Sequence, residues 1–447
     1  MKQIKVLLWF DVEDYVTPES DDAFYHLLQM LDEVGVRATL KFCTQKVELL
    51  KERGREDILR YLPNHELCFH TTKHSVHPLP TEYLEHYGFR EGVEEFYRRE
   101  KPGFDRLSSL VGQHLMSYGH PGVAWAPQTF AAVRSMGVPT YMDAHPILNV
   151  NGGPFWYDGI FTLSGLVNLV HSKHEPEQLE HMLHAFDTMD QSGEDVVFFS
   201  IYDHPTELVC EQFWDEVNFT NGKNPAFYTP APLRAPGEME KNIDALRRFI
   251  RETLARENVE YITATQAMAY EKNSNQPLNA KAIADYLSSA DGEACYGSVD
   301  GRMLCAAEIF SLLARVATDR APVPELLYGP ERDETSEIHQ ETFSLRELAE
   351  AAYSQYDTVM GYKQLKSLYK VGSSYISAAD LFCMLVRGMA SGEEQVAYCK
   401  GRLAAAGHVD ENYQFGGNWI LWDPDFRADN IIEQTKLQCW TLKPAIV

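Results

Sequence analysis

The sequence predicts an α/β fold, a parallel sheet or a barrel, joined to a smaller helical region. Short apolar runs alternate with helical patterns over roughly the first 265 residues. Fourteen of the sixteen histidines fall between His26 and His204, so histidine chemistry belongs to this first part. Strand-like runs become rare after the polar, proline-containing stretch 272–279, where we place a boundary between domains 1–271 and 280–447. At 447 residues the chain has material for about two buried cores.

The first strand is expected over 4–10, followed by a helix from about Ser20 on which Phe24, Leu27, Leu28 and Leu31 share one face. Gly35 suits its end, because glycine enters the left-handed conformation without a Cβ penalty. A strand over 37–42, a helix over 46–61 and a strand over 66–70 continue the rhythm, with later strands over 115–118, 140–143, 196–202 and 261–263. Beyond the boundary, helices are expected around 309–316, behind the capping box Ser344-x-x-Glu347, and behind Ser377-x-x-Asp380. The Pro-rich, charged segment 320–340 reads as a loop, and 280–447 as a mainly α-helical accessory domain.

Composition narrows the function. Forty Lys+Arg against sixty-five Asp+Glu give a net charge of −25, which disfavours nucleic acid as partner because such affinity needs a positive surface. No apolar run approaches the roughly 20 residues of a membrane span. The opening residues read as a strand rather than a signal sequence, since acids arrive at Asp11 and no small-residue cleavage site follows; a soluble, cytoplasmic protein is expected, with a trimmed export signal as the alternative. Eight cysteines without CxxC pairing are expected to be reduced thiols.

The chemistry concentrates in Asn64-His-Glu-Leu-Cys-Phe-His70-Thr-Thr-Lys-His74. On a helical turn, imidazoles four residues apart project from one face and can share a metal ion. Acidic residues end the first strand in Phe10-Asp11-Val12-Glu13-Asp14-Tyr15, and the first and third strands of a parallel α/β fold are expected near one another. One carboxylate with two imidazoles makes a three-ligand site with room for water, and a second carboxylate beside it can serve as general base.

These residues resemble the polysaccharide deacetylase family, also called NodB-homology or carbohydrate esterase family 4, over residues 1–268. The opening is similar to an Asp-x-Glu-Asp-Tyr variant of the family's acidic motif, and 36–42 to its second strand. His65-Glu66 through His74 resembles the metal segment, and Phe198-Phe-Ser-Ile-Tyr-Asp-His204-Pro205 the closing motif. The resemblance implies a distorted (β/α)7-type barrel, with Asp11 as base, Glu13, His70 and His74 as metal ligands and His204 as the acid that protonates the leaving group. Asp14 competes with Glu13, because in the commonest family motif the two carboxylates are adjacent. Ser117-Tyr-Gly119-His120-Pro-Gly122-Val-Ala-Trp125 looks like the third motif, in which an arginine normally orients the base; here Gly119 stands in that place. His120 replaces it, another cation reaches in, or catalysis is weakened.

Asp143, or its rival Asp158, is expected to touch His204 and keep the imidazole protonated. Gly122 is expected to offer a backbone N–H to an oxyanion, and Trp125 and Trp156 to suit stacking on sugar rings. The implied activity is metal-dependent hydrolysis of an acyl group, most plausibly acetyl, from the nitrogen of an amino sugar or glycan. Zinc is favoured by the ligand set, with cobalt, nickel or iron able to fit. The missing arginine motivates an alternative, a catalytically weak or inactive carbohydrate-binding member of the same fold. A glycoside hydrolase ranks last, since its two flanking carboxylates do not call for HxxxH.

Overall fold

The computed structural model describes residues 2–163, 166–168, 176–189, 195–272 and 277–446. Among them, eleven strands form one mixed, mainly parallel sheet, labelled here in chain order: β1 (Gln3–Val12), β2 (Thr39–Phe42), β3 (Glu66–Phe69), β4 (Ser117–Tyr118), β5 (Thr140–Tyr141), β6 (Phe155–Tyr157), β7 (Ile160–Thr162), β8 (Leu166–Asn168), β9 (Val196–Asp203), β10 (Val259–Ile262) and β11 (Lys443–Pro444). The order is β11-β6-β7-β5-β4-β3-β2-β1-β9-β8, with β10 beside β1.

β1 is buried almost throughout because it has neighbours along its whole length: β9 on one side, β10 against its first half and β2 against its second. Its side chains alternate between two interiors, as the pleat of a strand requires. Val6, Leu8, Phe10 and Val12 face the helix-covered core with Phe24, Leu27 and Leu31 of helix Glu19–Val34. Leu7 and Trp9 face the other way and share a cluster with Met142, Phe161 and Leu163, although β7 lies five places along the sheet. Only a sheet that curls back on itself brings them together. It does not close among the described residues, so the expected distorted barrel is an open, curled α/β sheet.

Gly35 ends the first helix at φ 71° as expected. The helix expected over 46–61 is instead Thr44–Glu52 followed by the short Glu56–Leu59, interrupted at Gly54, which sits at φ 69°. The boundary stretch falls partly on 273–276, outside the described residues.

The region 280–447 is mainly helical as expected, and one expectation for it needs correction. The helices Ala306–Val316, Leu345–Ser354 and Ala378–Ser391 are present, but so are four two-stranded antiparallel sheets, 297–299 with 302–304, 342–344 with 395–397, 357–359 with 362–364 and 368–371 with 374–377. Strands of three or four residues are too short to show a period of two. The last part is not an accessory: Phe415, Leu421, Trp422, Ile431 and Leu442 are buried in the core that contains β1, and β11 pairs with β6. Leu278, Phe310, Leu348, Phe382 and Trp440 belong to a second core.

Residues 1–271 expressed alone are therefore expected not to fold. Each large apolar side chain that leaves the core forfeits roughly 1.5–3 kcal/mol, and five such losses match the 5–15 kcal/mol by which domains are typically stable. A cooperative thermal transition of that fragment by circular dichroism would restore the boundary at 272–279. No helix among the described residues is long and apolar enough to cross a membrane.

Candidate metal and hydrolytic site

Parallel strands deliver their carboxyl ends to one rim of the sheet, and the chemistry-bearing residues lie there. Asp11 and Glu13 end β1, His70 follows β3, Gly119 follows β4, Asp143 follows β5 and His204 follows β9. A cavity of ≈ 270 Å³ opens over this rim, with Asp11, Glu13, His74 and His204 in its wall and Trp419 arriving from the C-terminal segment.

Glu13, His70 and His74 converge. Both imidazole Nε2 atoms face one carboxylate oxygen, Glu13 Oε2, at 3.0 Å from His70 and 2.7 Å from His74. On the far side of His70, Nδ1 lies 2.8 Å from the Gly119 carbonyl, which can only accept, so Nδ1 carries the hydrogen. Burial and the nearby Lys41 charge hold this ring's pKa below its ordinary value, so Nε2 is a bare lone pair aimed at a carboxylate oxygen. His74 is held from behind in a similar way, its Nδ1 facing Ser75 Oγ, which donates to Asp215 Oδ1, but the Glu13 and Asp215 carboxylates outweigh burial and hold this ring's pKa above its ordinary value. Imidazoles that donate from one nitrogen to an oxygen while the other meets a carboxylate are arranged as metal ligands with their supporting contacts. The donor set fits a divalent cation, and a protein-only packing leaves His70 Nε2 and Glu13 Oε2 facing as two acceptors.

Burial would raise the pKa of Glu13, but His74 and His70 outweigh it and hold the carboxyl well below its usual range. Its other oxygen accepts from Trp214 Nε1 at 3.1 Å. Burial raises the Asp215 carboxyl above its usual range. The HxxxH segment is not helical as expected. It is a tight turn with Thr71 at φ 61° and His74 at φ 48°, and this turn, not helical spacing, brings the rings to 4.6 Å between centroids.

Asp11 lies beside this group, its Oδ2 3.7 Å from His70 Nε2, 3.6 Å from His204 Nε2 and 2.9 Å from Lys41 Nζ. Its Oδ1 is buried without a hydrogen-bond partner among the described residues. His204 Nδ1 lies 2.9 Å from Glu207 Oε2. Burial alone would lower the His204 pKa, but Glu207, with Glu13 and Asp11 beyond, pushes it up to about 10.

Neither sequence family models nor curated proteins match the chain. Polysaccharide deacetylases are among the solved structures to which the chain is loosely similar. A probable polysaccharide deacetylase from Pseudomonas aeruginosa PAO1 aligns over 59% of this chain and 89% of its own, at 13% identity and a TM-score of 0.41. A putative polysaccharide deacetylase from Mycobacterium smegmatis aligns over 60% and 89%, at 17% identity and a TM-score of 0.39. A 4-alpha-glucanotransferase from Thermococcus litoralis aligns over 61% of this chain but only 41% of its own, at 13% identity and a TM-score of 0.41. At such scores the likenesses are too loose to bear on function, which the side chains must decide.

The structure brings Asp11, Glu13, His70, His74 and His204 into one site and leaves other expected residues outside it. Asp14 turns away: Oδ1 accepts from the Val16 and Thr17 backbone and Oδ2 from Thr206 Oγ1, which ties the end of β1 to the helix Pro205–Val209 that follows β9. The expected contact of Asp143 with His204 is made by Glu207 instead. Asp143 reaches toward Lys41 at 3.7 Å and His120 Nε2 at 3.9 Å, and burial raises its pKa to about 6. Asp158 is buried against Thr441, away from the cavity. Trp125 is fully buried with its N–H on Thr435, and Trp156 donates to Glu271; neither lines the cavity, because each ring fills a core on its own side of the sheet. Phe213 and Trp419 take the aromatic positions, with ring centroids 6.2 Å apart.

His120 does line the cavity, but burial holds its pKa well below the ordinary value and it bonds Tyr141, so it is no cation. Gly122 lies on the lip at φ 47°, followed by Val123 at φ 59°. A left-handed β-branched residue is uncommon, and strain of this kind gathers at functional sites. Lys41, Ser75, Glu207 and Asp215 were missed. Glu207 was legible as an acid three residues after His204 at a helix start, and Lys41 as a charge in an apolar strand, whereas Asp215 joins only through the fold.

Proposed function

We infer that this chain is a metal-dependent hydrolase that removes an acyl group, acetyl in the leading case, from the nitrogen of an amino sugar or glycan. The convergence of the His70 and His74 Nε2 atoms on one Glu13 oxygen carries this reading, with Asp11 and His204 3.6 Å apart beside it. Glu13, His70 and His74 would hold the cation, and zinc suits two nitrogens and one oxygen. When bound, the metal supplies Lewis acidity to the scissile carbonyl.

The protein's own groups divide the proton work. The Asp11 carboxylate, whose Oδ2 stands beside His70 and His204, accepts a proton from the attacking water. His204 starts protonated and delivers a proton to the departing amine. Glu207 holds His204 Nδ1–H and leaves Nε2 toward the reacting centre. The Gly122 backbone on the lip offers an N–H to the developing oxyanion, and Phe213 with Trp419 presents aromatic surface for the apolar face of a sugar.

The test is metal content by elemental analysis together with acetate release from N-acetylated amino sugars and their oligomers. One metal per chain with acetate released supports the reading. Bound metal without turnover on any acylated substrate would return the chain to a carbohydrate-binding role.

The pH dependence has a defined sign. With His204 raised to about 10, kcat/KM should fall on the alkaline side only as pH rises through that value. Glu207→Gln should move that limb down by about one unit or more, since the carboxylate favours the charged ring. The raised pKa also stabilises the fold, fully below the ordinary 6.5 and no longer once pH has risen past about 10. The variant should therefore melt lower than wild type at pH 6 and alike at pH 11; a pH-independent difference would remove His204 from the account.

A further inference from the structure

Lys41 is the one charged side chain of β2, and it is completely buried. It is the register partner of Asp11 on the adjacent parallel strand, so both side chains rise from the same face of the sheet. Its ammonium lies 2.9 Å from Asp11 Oδ2 and 3.7 Å from Asp143 Oδ2, above the Trp9 ring at 4.2 Å. Burial would lower the lysine's pKa, but Asp11 and Asp143 outweigh it and hold it above the ordinary value, so the group is charged. A buried ammonium costs several kcal/mol of lost hydration and is tolerated only where a counter-charge is held close.

Gly119 shows how it fits. A Cβ there would lie 2.6 Å from Lys41 Cδ and 3.0 Å from Nζ. The Gly119 backbone is not in the left-handed region, so nothing in its conformation demands glycine. What demands it is the lysine stem passing over it. Gly119 and Lys41 are therefore one device, a side chain deleted from the end of β4 so that a cation from β2 can reach Asp11.

We propose that Lys41 is a positioning residue for Asp11: its ammonium holds Oδ2 and so fixes the carboxylate beside His70 and His204, and Gly119 provides its space. The inference rests on the hydrolase reading, in which Asp11 is the base. Lys41 touches no expected metal ligand, so metal binding and base positioning separate.

Lys41→Met, neutral and of similar length, should retain one metal per chain and a KM within about threefold, while kcat falls about 100-fold or more, the scale of a misplaced base. In an Asp11→Asn background the same change should alter kcat by less than about twofold, since a positioning residue has nothing left to position. Gly119→Ala keeps the charge but crowds its stem, and covers the case in which Lys41→Met does not fold. It should lower kcat with Lys41 present and have little effect in a Lys41→Ala background. Crystal structures of the variants supply a readout independent of turnover: the Asp11 carboxylate should rotate from its place beside His204. Undiminished kcat in folded Lys41→Met, an equal loss in the Asp11→Asn background, or an unmoved Asp11 would overturn the inference. If the wild type releases no acyl group from any substrate, the hydrolase reading falls, and the position of Asp11 in the crystals still decides what Lys41 does.

Discussion

Alanine at His70 or at His74 will abolish stoichiometric metal binding. Each ring supplies one of three ligand atoms and each is pre-oriented from behind, His70 by the Gly119 carbonyl and His74 through Ser75 and Asp215. Losing a ligand forfeits its bond and leaves Glu13 buried against a single imidazole, and a carboxylate so deprived is costly to keep ionised. Loss of one outer partner alone typically weakens a metal 10–100-fold, so loss of a ligand should exceed that range. Elemental analysis of folded protein after dialysis is the measurement. Full occupancy in both variants would place the metal elsewhere, with Asp11, Glu13 and His204 the next set of donor atoms close enough to one another.

Asp11→Asn will leave metal in place and lower acyl release by about 100-fold or more, since a positioned general base contributes roughly 10²–10⁴. The amide nearly preserves shape but cannot accept the proton, and it removes the partner of Lys41. Stability should fall as well, because an ammonium with 0% side-chain exposure is left with Asp143 at 3.7 Å as its remaining close carboxylate. Unchanged turnover in metal-loaded Asp11→Asn would move the base to another carboxylate of the cavity, Asp143 first, as its pKa of about 6 suits proton exchange near neutrality.

The parts of this site readable from the chain are those whose chemistry is local. HxxxH keeps two imidazoles within one short segment, an acid two residues from Asp11 at a strand end carries its meaning in alternation, and His204 before a proline sits at a strand-to-helix junction. Trp125 and Trp156 show the limit. A tryptophan in a loop looks alike whether its ring faces a cleft or a core, and only packing decides; here Thr435 and Glu271, more than a hundred residues away, take their N–H groups. The same distance hid the C-terminal wall, since nothing near Trp419 announces that it closes a cavity begun at residue 11.

The sequence by itself determined the α/β class and singled out His70, His74 and the acids at the end of the first strand as candidate ligands, with Glu13 and Asp14 still in competition, because strand period and residue spacing are properties of a few consecutive residues. Only the tertiary structure decided that Glu207 rather than Asp143 holds His204, that Phe213 and Trp419 rather than Trp125 and Trp156 face the cavity, and that Lys41 occupies the space above Gly119. These are contacts between strands and loops brought together by the curl of the sheet. Curl arises from twist accumulated across many strands and from side chains packed on both faces, a collective quantity that no single segment encodes.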